Sequence, residues 1–165
     1  MLRRTSFLLA GGVVLPVLVR RAEAQTAAPN DLHILALSAS AFALAGSRLA
    51  EQKAHAAGVR QFAMLEAAEQ EATMEAMRMA GITIPAQAPM SAAKMQMTQA
   101  LEAASGQAFD REYLRGQKLG HEELLGIHQR IAQSGSSPAE KIIGTLSVPA
   151  IRSHLAMIEM LMAQG

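Results

Sequence analysis

Between Phe109 and Ala132 the chain reads FDREYLRGQKLGHEELLGIHQRIA, and three polar side chains fall where a helix should be dry. At 100° per residue, Phe109, Tyr113, Leu124, Ile127 and Ile131 share one face, with Gln117, His121 and His128 among them. Arg111, Arg115, Lys118, Glu122 and Gln129 take the opposite side. A second segment repeats the pattern: Val59, Ala63, Met74 and Met77 form an inward stripe that contains Glu66, Gln70 and Thr73, with Glu69 at its border. Near the C-terminus, His154 is embedded among Ala150, Met157, Ile158 and Leu161. Three helices thus direct Glu66, Gln70, Tyr113, Gln117, His121, His128 and His154 toward a shared interior, where each polar group needs a partner.

Two chemistries suit that set. Imidazoles and a carboxylate are donors for one hard or borderline transition-metal ion, held by His121, His154 and Glu66 or Glu69. The plainer reading is a hydrogen-bonded polar layer that fixes helix register and needs no cofactor, and the sequence favours it. A di-iron bundle would need about four carboxylates and paired Glu-x-x-His motifs, and the chain contains no Glu-x-x-His. Methionine suggests a third chemistry. Met77-x-Met79, Met95-x-Met97 and Met160-x-Met162 carry thioethers, which select Cu(I). Residues two apart on a helix point about 160–200° from each other, so only Met95 and Met97, in the least regular segment, would chelate by unwinding. Otherwise methionine fills a core short of aromatics. Nucleophilic catalysis has little support: there is no cysteine and no Gly-x-Ser-x-Gly.

The N-terminus reads as an export signal. Arg3 and Arg4 precede an apolar run from Phe7 to Val19, and Ala22-Glu23-Ala24 is an A-x-A cleavage site ahead of Gln25. Arg3-Arg4-Thr5-Ser6-Phe7-Leu8 resembles a twin-arginine signal, with the general secretory route as the alternative. Without residues 1–24 the chain loses four arginines and one glutamate, leaving 11 Lys+Arg against 13 Asp+Glu and a formal net charge of −2. No basic stripe survives, and aromatics for stacking bases are almost absent, which argues against nucleic acid. The expectation is a soluble periplasmic protein, with no transmembrane span in the mature chain and an unidentified protein or envelope partner. With no cysteine there is no disulfide frame, so helix packing must supply stability.

The mature chain is rich in Ala, Met, Glu and Gln, which favours helix throughout. After a flexible lead at residues 25–30, a single domain spans 31–165. Its first helix runs from Asn30 or Asp31 to about Ala54, with Ile34, Leu35, Phe42, Ala45 and Leu49 as its apolar stripe. A break at Ala56-Ala57-Gly58 precedes a second helix, which Gly81 ends near Ala80. Residues 82–89 form a Pro-interrupted connector, and Ser91 caps a short helix that reaches Ala104. The third long helix starts near Phe109. Ser137-Pro138-Ala139-Glu140 opens the fourth, combining an N-cap, a first-position Pro and a returning Glu; Pro149 is expected to kink it. His33 and His55 are expected to face water. The fold class is all-α, a four-helix bundle with a long crossover carrying a short helix between the second and third long helices.

Certain residues carry a family resemblance: Ala43-Leu44-Ala45-Gly46 with Leu49-Ala50, Phe62-Ala63, Gly81 with Pro85, Phe109-Asp110 with Tyr113, Gln117 and His121, and Pro149 with His154. In their order and spacing, the run from Asp31 to Leu161 resembles the bacterial ferritin-like family called domain of unknown function 4142. The resemblance implies an exported helical bundle of unsettled role, structural, binding or related to envelope stress. It also exposes departures. Members often carry a Glu four residues before the first-helix glycine, where this chain has Phe42, and an Asp-His pair where it has Glu69-Gln70. If the export reading holds, N-terminal sequencing of protein recovered from a periplasmic extract will begin at Gln25; recovery of a chain that retains Arg3 and Arg4 would overturn it.

Overall fold

The computed structural model describes residues 29–87 and 90–164, with side chains from Leu32 onward in the first helix. The expected signal, residues 25–28 of the lead and positions 88–89 of the connector lie outside the described residues. Five helices follow in order: α1 Pro29–Lys53, α2 Ala57–Met79, α3 Ala92–Ala103, α4 Gly106–Ser134 and α5 Pro138–Gln164. There is no strand among the described residues. The all-α bundle of four long helices, with a short helix in the crossover, is therefore observed.

The helix ends follow local chemistry. Gly81, at φ +78°, closes α2. Its N–H donates to the Arg78 carbonyl and that of Ile82 to the Met77 carbonyl, the paired bonds of a Schellman ending. Ile82 then packs back on the apolar cluster containing Met77. The Ser91 hydroxyl accepts from the Lys94 N–H at the start of α3. At α5 the Ser137 hydroxyl accepts from the Glu140 N–H, and the Glu140 carboxylate accepts from the N–H groups of Ser136 and Ser137, a reciprocal capping box.

Some sequence expectations need correction. On α1, Ile34, Leu35 and Ala45 are exposed, whereas Leu32, Ala36, Ala39, Ala43 and Ala50 are buried. The small residues go inward because α1 sits closely between α2 and α4. The third long helix begins at Gly106, three residues early, through a positive φ of +58° that only glycine adopts without strain. Pro149 lies inside α5, where the sequence placed it. That proline is on the exposed side, where the carbonyl it leaves without an N–H partner can be hydrated. His33 does not simply face water: its Nε2 lies 3.6 Å from Glu140. His55 is exposed, as expected, just past the end of α1.

Helix α4 is the centre of the bundle, packed on α5 and α1, while α2 covers α1 and touches α5. Three apolar clusters lie along the bundle among the described residues. One holds Phe62, Phe109, Tyr113, Leu114 and Ile158, a second holds Leu32, Leu37, Met77, Ile127 and Ile131, and a small third joins Ala39, Leu124 and Ile151. By length and composition alone, residues 32–53 of α1 are apolar enough to cross a membrane, yet 56% of that window is buried inside the bundle. Helices α4 and α5 approach closely at Gly144, where an added Cβ would lie 2.6 Å from the Ala132 nitrogen and 2.9 Å from the His128 carbonyl. Both are backbone atoms that cannot swing aside. We expect Gly144→Ala to destabilise the protein by roughly 1–3 kcal/mol. Gly126→Ala, on α4 with nothing within 4 Å of the new methyl, should stabilise it by about 0.5–1 kcal/mol. Urea denaturation of the two variants checks both signs.

Candidate metal centre

The expected polar residues separate into three groups. Glu66 and Gln70 lie one turn apart on the buried face of α2, His121 on α4 and His154 on α5. Where these helices meet, Glu66 Oε2 is 3.1 Å from His121 Nε2 and 2.7 Å from His154 Nδ1. The two ring nitrogens are 3.3 Å apart. Glu66 and His121 are both 0% exposed and His154 is 8% exposed, so the cluster is closed to bulk water apart from one edge. That edge is occupied by Glu69, half-exposed, whose carboxylate lies 3.2 Å from His154 Nε2. The ring of Phe62 packs against both imidazoles.

The second group faces α1. Tyr113 and the Ser47 hydroxyl are hydrogen-bonded at 2.9 Å. Gln117 Nε2 donates to the Ala43 carbonyl and to Ser47 Oγ. Burial pushes the Tyr113 phenol far above its ordinary value. Gln117 also links the groups, because its backbone carbonyl lies 2.8 Å from His121 Nδ1. The third group is His128 alone. Seven residues beyond His121, it is about 10 Å farther along the α4 axis, and its buried Nδ1 has no hydrogen-bond partner. Burial pushes its pKa down to about 4, so it is neutral at pH 7.

Protonation follows from the partners. A carbonyl only accepts, so His121 Nδ1 carries its hydrogen and turns Nε2 toward Glu66 and His154. His154 places each ring nitrogen against a carboxylate, an arrangement that favours imidazolium. Burial alone would lower its pKa, but the bonds to Glu66 and Glu69 raise it to about 9. Burial likewise pushes Glu66 up, and its pairing with the imidazoles of His121 and His154 overrides it, holding the carboxyl at about 2.

Glu66, His121 and His154 form the one set of three such groups, among the described residues, whose donor atoms all lie within 4.8 Å of one another. The donor separations of 2.7, 3.1 and 3.3 Å compare with the edges spanned by neighbouring ligands about 2.0–2.1 Å from one ion: roughly 3.0 Å in octahedral and 3.4 Å in tetrahedral arrangements. Each donor also has an outer partner. His121 Nδ1–H points to the Gln117 carbonyl, His154 Nε2 to Glu69, and Glu66 Oε1 accepts from Gln70 Nε2 at 2.8 Å. Such outer bonds fix the tautomer and orientation of metal-binding side chains.

Met95 and Met97 are not brought together. Both lie on the regular helix α3, Met95 exposed and Met97 with its methyl toward Gly116. Two contributors escaped the sequence reading of a polar interior. The Ser47 hydroxyl joins Tyr113 to Gln117. Asp110, 7% exposed, accepts from the N–H groups of His55 and Ala56 at 2.9 and 2.8 Å, which fixes the turn between α1 and α2. Its place next to Phe109, at the edge of the buried face, was the available signal.

The chain belongs to the family described as domain of unknown function DUF4142, whose sequence model matches residues 18–161. No curated protein and no solved structure matches it.

The cluster gives the metal-free protein a defined pH dependence. His154, raised from 6.5 to about 9, contributes stability that is complete below pH 6.5 and lost as pH rises through 9. Glu66, lowered from 4.5 to about 2, contributes above pH 4.5 and loses its contribution as pH falls through 2. His128, lowered from 6.5 to about 4, costs stability as pH falls from 6.5 toward 4. Chemical denaturation should therefore show greatest stability near pH 6.5 and a loss on the order of 2 kcal/mol by pH 9.5. Glu66→Gln should flatten that alkaline limb; an unchanged limb would show that the Glu66–His154 pair is not its source.

Proposed function

We propose that this protein is an exported helical bundle that holds a single divalent transition-metal ion between α2, α4 and α5, through Glu66 Oε2, His121 Nε2 and His154 Nδ1. The observation that carries the reading is the complete outer shell: each donor atom is left facing its two neighbours while the other polar atom of the same side chain is tied elsewhere. Two imidazoles and one carboxylate suit zinc, iron(II) or manganese(II) better than copper(I), which prefers thioethers. With three protein donors, the remaining coordination positions fall to water. Helix α1 offers no further carboxylate here, since Phe42 lies across Gly116 and Gly120 of α4, which supports one ion over two. The half-exposed Glu69 would mark the entry edge and steady His154 once the ion has displaced its Nδ1 proton.

The same residues in an ion-free protein make a polar layer, with the 2.7 Å His154–Glu66 bond in place of the metal. Elemental analysis and thermal unfolding separate the two. Mature protein purified without chelators, or reloaded with Zn(II), Fe(II) or Mn(II), should hold one ion per chain. Free metal at a hundred times Kd should then stabilise the fold by about 2.7 kcal/mol. Both effects should vanish in His121→Ala and His154→Ala and persist in Tyr113→Phe. An ion-free protein with an unchanged melting curve in all three metals would establish the polar layer instead.

A further inference from the structure

At the end of the bundle where α1 turns into α2, α4 begins and α5 finishes, there is a second feature, independent of the metal reading: a cavity of about 540 Å³. That volume lies within the roughly 300–1,000 Å³ of sites for small organic molecules. Its apolar lining comes from Val59, Leu114, Leu161 and Met162; the one ring on the wall is the His55 imidazole, and no Phe or Tyr is among the wall residues. Flexible Leu and Met side chains accommodate a slender aliphatic chain more readily than they clamp a flat ring.

The charged wall residues are not equivalent. Both oxygens of Asp110 are engaged by the backbone at His55 and Ala56, and Glu112 is engaged by Arg115 at 2.5 Å. Arg111 also lines the cavity, but it makes no ion pair or side-chain hydrogen bond among the described residues. Asp110 keeps its charge with both oxygens occupied, Arg115 is taken by Glu112, and Arg111 is left as the guanidinium with a free face beside an aliphatic hollow. We propose that this cavity binds a small anionic amphiphile, a carboxylate on a straight saturated chain of medium length, with the head group on Arg111 and the tail along Val59, Leu114 and Leu161.

Decanoate, titrated below its micelle concentration into the full mature protein and followed by calorimetry or NMR shifts, tests this directly. One saturable site per chain is expected. Arg111→Glu should weaken binding at least tenfold, and Arg111→Lys should keep it within a few-fold of the parent. Met162→Asp, which places a like charge at the tail end of the cavity, should also weaken it at least tenfold. Arg111 and Met162 are both exposed, so the melting temperatures of these variants should match the parent. Absence of saturable decanoate binding, equal binding of decyltrimethylammonium, or unchanged affinity in Arg111→Glu would each overturn the proposal.

Discussion

The burial of Glu66 is the constraint around which the rest of the bundle is organised. A carboxylate with 0% exposure is tolerated only if positive or hydrogen-bonding groups surround it. Four side chains from three helices meet that demand in a chain of contacts: Gln70 on one oxygen, His121 and His154 on the other, and Glu69 behind His154. Because α2 makes little other contact with α5, this polar cluster does much to set how those two helices face each other. Replacing one member strands the others, so the cluster specifies the arrangement more strongly than an equal area of leucine would.

The other side of α4 is governed by a steric constraint. Glycine or alanine occupies the crossing points with α1: Gly46 faces Gln117 and Tyr113, while Gly116 and Gly120 receive the ring of Phe42. This close approach lets Ser47 reach the Tyr113 hydroxyl and lets Gln117 reach the Ala43 carbonyl. The carbonyl of Gln117, in turn, orients His121. The tight α1–α4 seam and the Glu66 cluster are thus mechanically continuous, and the imidazole most deeply buried in the cluster is aimed by residues on its far side.

Phe42 shapes the cluster from the α1 side. Its ring is seated against Gly116 and Gly120 of α4, so α1 sends no carboxylate inward at this level. The amide of Gln70 donates to Glu66. The grouped carboxylate and imidazoles therefore come from α2, α4 and α5 alone.

Much of the fold was legible in the chain because its causes are local. The 3.6-residue period of α4 placed Phe109, Tyr113, Gln117, His121, Leu124, Ile127, His128 and Ile131 on one face, and all of them are buried. Ser137-Pro138-Ala139-Glu140 and Gly81 marked helix ends through backbone chemistry that needs no tertiary partner. Period analysis fixes which face of a helix is inward but not what that face meets. The sequence therefore could not separate His121, which reaches Glu66 and His154, from His128, two turns away with an unpaired nitrogen, or from Gln117 and Tyr113, which turn to α1. Nor could it show that His33 meets Glu140, or that Ile34 and Leu35 are exposed while alanines line the contact. Those outcomes depend on helix rotation and spacing, which the close contacts at Gly46, Gly116, Gly120 and Gly144 set between residues far apart in the chain.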